Sequence, residues 1–382
     1  MTLRFRPAVR WTLALSTLAL CAATAFAQPA GSPPDGPSPQ APLNTAQRKA
    51  IVDTLAQQLR IRYVYPNKIE PVAKQLQARS AKGAYENATT VEAMGEALNK
   101  DLREIGNDRH FRVEFDPEVQ TLPVGAEPPK PTREEIDQGR EQAAMMGFGI
   151  TRIQRLPGNI GYLDLRGFGP TEFIAGGYDA AMLLLGGTDA LVIDLRNNGG
   201  GSPSSVTYLL SHFFAEGDER HLNDIYDRPT NTTREYWTLP ISSPRYTKPI
   251  AVLTSKHTFS GGEECAYDLQ TQKRAKLYGE TTGGAANPGE MVALGHGLAA
   301  FVPTGRAING VTKKDWEMVG VVPDVSLPAS DALSAAYVAL LEQSASETKN
   351  PEQRDQVKDV LARAQAGKID LPIYTPRRPP AP

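Results

Sequence analysis

A single serine carries the most chemistry in this chain. In His257-Thr-Phe-Ser-Gly-Gly-Glu-Glu-Cys-Ala-Tyr-Asp-Leu269, Ser260 stands before two glycines and the start of a helical pattern. It follows Pro249-Ile-Ala-Val-Leu-Thr254, an apolar run of the kind buried in a sheet. The plainest role for a lone serine there is a helix cap. Gly261 and Gly262 point further, because they clear the approach to the hydroxyl and free the first helical N–H groups. Glu263 and Glu264 fall in the first helical turn, where carboxylates suit the helix dipole, and no more is expected of them. A second glycine turn, Gly199-Gly-Gly201, follows another buried-strand pattern, Ala190-Leu-Val-Ile-Asp-Leu195. Two such turns at strand ends can present backbone donors to a developing oxyanion. Neither G-x-x-x-x-G-K-[ST] nor G-x-G-x-x-G is present at the turn, which argues against a nucleotide.

A nucleophilic serine needs a base. The five histidines are His110, His212, His221, His257 and His296, and no pair has metal-ligand spacing, so no metal or other cofactor is expected. His212 reads as structural, His221 lies in a charged loop, and His296 lies in a Gly-His-Gly turn. His257 is close enough to Ser260 for a local bond. His110 ends Asn107-Asp-Arg-His110, between a helical segment and a strand pattern. Cys265 lies one turn into the helix without a glycine turn of its own, which argues against it as nucleophile.

The elements around these residues divide the 382-residue chain. Residues 1–27 carry Arg4, Arg6 and Arg10, then an apolar run too short to span a bilayer, then Ala25-Phe-Ala27, the pattern of a secretory signal. Its removal leaves 38 basic against 43 acidic residues, so no basic surplus invites nucleic acid or an anionic membrane. It also leaves Cys265 alone, without a disulfide partner. Residues 28–43 form a Pro-rich linker. Residues 44–118 read as a helical bundle, with helices from Thr45 (as cap), over Pro71–Arg79 and over Thr90–Ile105, closing in the strand Phe111–Phe115. Residues 119–148 read as a linker that leads into a short helix. Residues 149–345 alternate strand and helix, the texture of an α/β core, with Ser330 as cap of its last helix. Residues 346–382 give a polar helix and a mobile Pro-rich tail.

Four motifs stand in one order: Ala190-Leu-Val-Ile-Asp-Leu-Arg-Asn-Asn-Gly-Gly-Gly201, Thr258-Phe-Ser-Gly-Gly-Glu-Glu264, Gly279-Glu-Thr-Thr-Gly-Gly-Ala285 and Gly320-Val-Val-Pro-Asp324. Over residues 45–340 the chain resembles the S41, or tail-specific protease, family of serine peptidases. The resemblance implies an α/β fold, a crotonase/ClpP-like superhelical core with an N-terminal helical bundle. The family's processing branch uses a Ser-Lys dyad, but Ala285 stands at the lysine position and residues 116–150 leave no room for a PDZ domain. The chain is more similar to the branch of interphotoreceptor retinoid-binding protein repeats and the tricorn protease core. That resemblance implies Ser260 as nucleophile, His110 as base and Glu317 as orienting residue, with Gly261 and Gly200 as oxyanion-hole donors. Arg109 replaces the serine of the tricorn relay, which leaves Asp108 as the alternative orienting group.

The function expected is a secreted or periplasmic serine endopeptidase acting on peptide or protein substrates through an acyl-enzyme. The alternatives are a binding module for apolar ligands or peptides on the same fold, and a scaffold that docks a partner through its Pro-rich tail. No membrane-spanning segment is expected after signal removal. The 150 residues between His110 and Ser260 place them in different domains, so an open, inactive arrangement is one expectation.

Overall fold

The computed structural model describes residues 38–106, 108–116, 123, 125 and 130–377; the signal-like segment 1–27 and most of the Pro-rich linker lie outside them. Three helices come first: α1 (Thr45–Arg62), α2 (Pro66–Ala81) and α3 (Val91–Asp101). Ile51, Leu55, Leu59, Ile69, Leu76, Met94 and Leu98 recur at helical spacing and are buried together. Asn44, not Thr45, caps α1: Asn44 Oδ1 accepts the Gln47 N–H at 2.9 Å and Gln47 Oε1 accepts the Asn44 N–H at 2.8 Å. α2 begins five residues earlier than the spacing suggests, with Pro66 in its first turn, where a missing N–H is harmless. α3 ends in a π-type turn, Leu102–Gly106, which delivers the chain to Asp108 and His110.

The strand β1 (Arg112–Phe115) follows, then α4 (Arg133–Met145). The core proceeds through β2 (Ile150–Leu156), β3 (Ile160–Leu165), α5 (Thr171–Leu185), β4 (Ala190–Asp194) and α6 (Pro203–Ser211). A hairpin, β5 (His221–Asp227) and β6 (Thr232–Trp237), precedes β7 (Ile250–Thr254), α7 (Gly261–Thr271) and β8 (Lys276–Gly279). The chain continues through β9 (Gly289–Gly295), β10 (Leu298–Pro303), β11 (Gly305–Asn309), β12 (Val325–Ser326), α8 (Ala332–Glu347) and α9 (Pro351–Gln365).

The main sheet has the order β12-β8-β7-β4-β3-β2, parallel except for the antiparallel edge strand β2. Its central strands are buried on both faces, and alternate residues serve different cores. Leu163, Leu191, Ile193 and Val252 pack beneath α5, α6 and α7. Tyr162, Val192, Ala251 and Leu253 pack against α8. Ser330 does not cap α8, whose N-cap residue is Asp331. Three strands form the second sheet, β1-β10-β9, and three the third, β11-β5-β6.

The second sheet ties the histidine to the core. β1 pairs antiparallel with β10, with Val113 opposite Ala300. Asn99 of α3 brackets Val113, donating to its carbonyl at 2.6 Å and accepting its N–H at 2.7 Å. Val292, Leu294, Leu298, Ala300 and Val302 of the β9–β10 hairpin are buried in the same cluster as the bundle helices. The helices and the hairpin therefore share one core, and no swing of the bundle is needed to bring His110 near Ser260.

The tail differs from the expected mobile end. Up to Arg377 it lies against the β4 turn: the Asn197 amide donates to Thr375 O at 2.9 Å and accepts the Arg377 N–H at 2.7 Å. The Tyr374 ring lies 4.5 Å from the Arg196 guanidinium. A polar chain stays ordered here because Asn197 offers it a backbone-like pairing.

Candidate active site

Two strand ends are stitched together beneath the site. Asp194 and Arg196 form a buried bidentate pair, with Nε–Oδ1 at 2.9 Å and Nη2–Oδ2 at 2.6 Å, completed by the Tyr162 hydroxyl at 2.6 Å. The Thr258 hydroxyl donates to Leu195 O at 2.8 Å, and Phe259 N–H to Asn198 O at 3.0 Å. The chain then turns into α7 through Ser260, whose φ of 51° and ψ of −121° lie outside the regions open to most side chains. A capping residue ordinarily has extended backbone. Holding Ser260 in this conformation costs about 1–3 kcal/mol, and such strain gathers at functional sites.

Glu263 holds the turn. Its carboxylate is buried and accepts four bonds: Ser260 N–H at 2.9 Å, the Thr282 hydroxyl at 2.5 Å, Gly284 N–H at 2.6 Å and Ala285 N–H at 2.8 Å. Burial pushes its carboxyl above the usual range, and the four donors oppose that shift. The sequence offers Glu263 only a helix-dipole role. Only the Ser260 N–H is a local partner; the other three donors lie 19 to 22 residues downstream, where nothing local announces them.

The glycine turn lies directly against the serine. Gly200 has φ +92°, and a side chain there would begin 2.7 Å from Ser260 Cβ and 2.9 Å from Gly261 N. The Gly200 N–H expected to face an oxyanion is committed to Asn198 Oδ1 at 2.8 Å. Gly201, at φ +133°, is the neighbouring donor: a Cβ on Gly261 would lie 3.1 Å from Gly201 N. Neither the Gly201 nor the Gly261 N–H has an acceptor among the described residues. Beside Ser260 and Gly261 is a cavity of ≈ 40 Å³, walled by Pro203, Ile225, Ala286, Ala307 and Trp316, with Glu264 also lining it. Burial pushes Glu264 up to about 8.

His110 reaches the same place from the bundle. Its ring packs at a tilt of 54° against Phe259, the residue before the serine, with centroids 5.1 Å apart, and lies 6.0 Å from Phe301. Its side chain is 8% exposed, and neither ring nitrogen has a hydrogen-bond partner among the described residues. Asp108 Oδ1 lies 3.5 Å from His110 Nδ1 and accepts the His110 backbone N–H at 2.9 Å. Asp108 Oδ2 accepts from the Tyr63 hydroxyl and the Asn287 amide, both at 3.1 Å. Burial alone would raise the Asp108 carboxyl, but the bonds from His110 and Asn287 outweigh it and hold it below the usual range. Arg109 donates to Gly283 O, which ties the histidine turn to the segment that Glu263 gathers.

Glu317 stands at the edge of this group. Its Oε2 accepts the Ala286 N–H at 2.6 Å, while its buried Oε1 has no hydrogen-bond partner among the described residues. Burial, with Asp108 nearby, pushes it up to about 7. His257, the local alternative, is pushed down by burial and by Lys256. Cys265 is buried and its thiol is held well above the usual value, as an inert residue would be. No cluster of three or more metal-ligating side chains occurs among the described residues.

Residues 159–327 match the model of peptidase family S41, and residues 43–145 match that of the N-terminal domain of Peptidase S41 in eukaryotic IRBP. The chain belongs to peptidase family S41. It is 31% identical over 192 residues to carboxyl-terminal-processing peptidase 2, chloroplastic, from Arabidopsis thaliana, and 30% identical over 176 residues to the chloroplastic C-terminal processing peptidase of Tetradesmus obliquus. These matches cover 47% and 44% of this chain but only 35% of each relative. A putative peptidase from Parabacteroides merdae shares the fold at TM-score 0.53 and 18% identity, covering 80% of this chain and 100% of that one. A lipoprotein from Streptococcus agalactiae does so at TM-score 0.51 and 16% identity, covering 79% and 98%. This S41 chain thus has the mixed α/β architecture of its family.

Two outcomes test the site's electrostatics. Glu263→Gln leaves donors facing an amide that cannot accept them all, and should lower stability by about 2–4 kcal/mol in urea denaturation. A loss under half a kcal/mol would contradict the four-donor role. Glu317 is neutral more readily in the fold, at about 7, than in the unfolded chain, near 4.5. Its stabilising contribution is complete below that lower value and is lost as pH rises through the upper one. The stability of Glu317→Gln relative to wild type should therefore grow by about 1–3 kcal/mol between pH 4 and 8. A difference that does not change with pH would contradict the buried carboxyl.

Proposed function

We propose that this S41 chain is a serine endopeptidase that cleaves peptide bonds through an acyl-enzyme on Ser260. One observation carries the reading: a strained serine at a strand–helix junction, beside two backbone donors without an acceptor among the described residues and a histidine whose Nε2 has no hydrogen-bond partner among them. In the proposed sequence, Ser260 Oγ attacks the scissile carbonyl while His110 Nε2 takes its proton. The Gly201 and Gly261 N–H groups stabilise the oxyanion, a role worth about 3–4 kcal/mol per donor. His110 then gives its proton to the leaving amine, and a water activated by the same nitrogen releases the acyl group. Asp108, held ionised and facing Nδ1, supports the orienting role better than Glu317, which is near neutrality and bonded to Ala286.

The ≈ 40 Å³ cavity suits a small side chain on the acyl side of the scissile bond. The leader-like residues 1–27 support action outside the cytoplasm. No helix among the described residues is long and apolar enough to cross a membrane. Peptide hydrolysis, followed by mass spectrometry of the products, tests the assignment. Ser260→Ala and His110→Ala should each lower kcat/KM at least about a thousandfold, and Asp108→Asn should cost more than Glu317→Gln. Cleavage that survives Ser260→Ala, or a larger loss in Glu317→Gln than in Asp108→Asn, would contradict it.

A further inference from the structure

A groove of ≈ 930 Å³ opens beside the candidate active site, between α4 on one side and β2, the 166–170 loop and α5 on the other. Its volume falls in the range of ligand sites. Met146, Phe148, Ile150, Phe168 and Phe173 line it, and Gly200 forms its inner end. Gly200 is also the residue packed against Ser260, so the groove and the nucleophile share a wall. Arg166 is the one charged lining residue among those described, and Asp164 neutralises it through two contacts of 2.6 Å. Nothing there would anchor the headgroup of an anionic lipid. The lining glycines Gly167 and Gly169 have N–H groups without an acceptor among the described residues, which suits an extended peptide backbone.

The roof is built to adapt. α4 buries none of its residues and rests on Phe173 through Gly139. It joins the core through Gly147-Phe148-Gly149, where all three residues have positive φ: 62°, 58° and 81°. Such backbone is costly for Phe148, which is wedged against Gly177. Met145 and Met146, at the end of α4, are 81% and 66% exposed. Methionine side chains accommodate varied apolar shapes.

We propose that this groove is a substrate-docking site that takes an apolar segment of the polypeptide being cleaved, a few residues from the scissile bond. The proposal rests on the reading of Ser260 as nucleophile for its purpose, but binding tests it without catalysis. The probe is a fluorescein-labelled ten-residue peptide containing Leu-Phe-Leu, compared with the same peptide containing Ser-Asp-Ser. Binding is read by anisotropy on Ser260→Ala protein. The apolar peptide should bind at least tenfold more tightly. Adding Met145→Glu with Met146→Glu, or Thr151→Trp to fill the groove, should weaken it about tenfold or more. These exposed positions leave the fold and the serine intact, so the same changes in the Ser260 enzyme should not alter its labelling by a fluorophosphonate.

Equal binding of the two peptides, or no binding, overturns the proposal. So does unchanged affinity in both groove variants, or displacement of neither peptide while an apolar small molecule binds at the groove. If the fluorophosphonate fails to label the Ser260 enzyme while groove-dependent binding persists, the catalytic reading fails and the docking site stands.

Discussion

The buried carboxylate of Glu263 is the interaction on which the site depends. It draws together the strained turn at Ser260 and the Thr282–Ala285 segment, two stretches also joined by the Gly283 N–H, which donates to Thr258 O at 2.9 Å. A buried carboxylate is expensive unless its oxygens are satisfied. Here four donors satisfy them, and the cost becomes a geometric constraint: if any one segment shifts, a donor or acceptor is left unpaired. The strain at Ser260 persists because its surroundings over-determine it. Gly200 and Gly201 close the other side, where no side chain fits.

The same economy explains how the histidine arrives from so far along the chain. Asn99 fixes β1 to α3, β1 pairs with β10, and Arg109 holds the turn between them to Gly283. Asp108 takes its donors from Tyr63 on the bundle side and Asn287 on the core side. The bundle and core thus meet in one polar cluster, walled by Phe259 and Phe301. Asp108 lies 3.5 Å from His110 Nδ1, while Nε2 has no hydrogen-bond partner among the described residues. Catalytic hydrogen bonds are often long or absent until a substrate closes them.

Much of this was legible in the sequence because residue type and local pattern carried it. Apolar runs ending in glycine turns announce β4 and β7, and a serine before two glycines announces the start of α7. The bundle helices follow from Ile51, Leu55 and Leu59 at helical spacing. What was not legible depends on distant partners. Glu263 looks like any first-turn carboxylate until its donors are known. Gly200 and Gly201 are interchangeable in the sequence, and only the Asn198 side chain, by taking the Gly200 N–H, separates them. The hairpin β5–β6 escapes notice because its strands are polar and partly exposed, and take their order from β11. The tail follows the same rule: Pro-rich composition suggests mobility, while Asn197 supplies the pairing that residues 374–377 need.

The central claim is that Ser260 is made nucleophilic by His110. The most direct measurement is mass-spectrometric mapping of the adduct formed when folded protein meets a fluorophosphonate. The account predicts one adduct, on the peptide containing Ser260, and its loss in His110→Ala. An adduct on another residue, or none on folded protein, would contradict it.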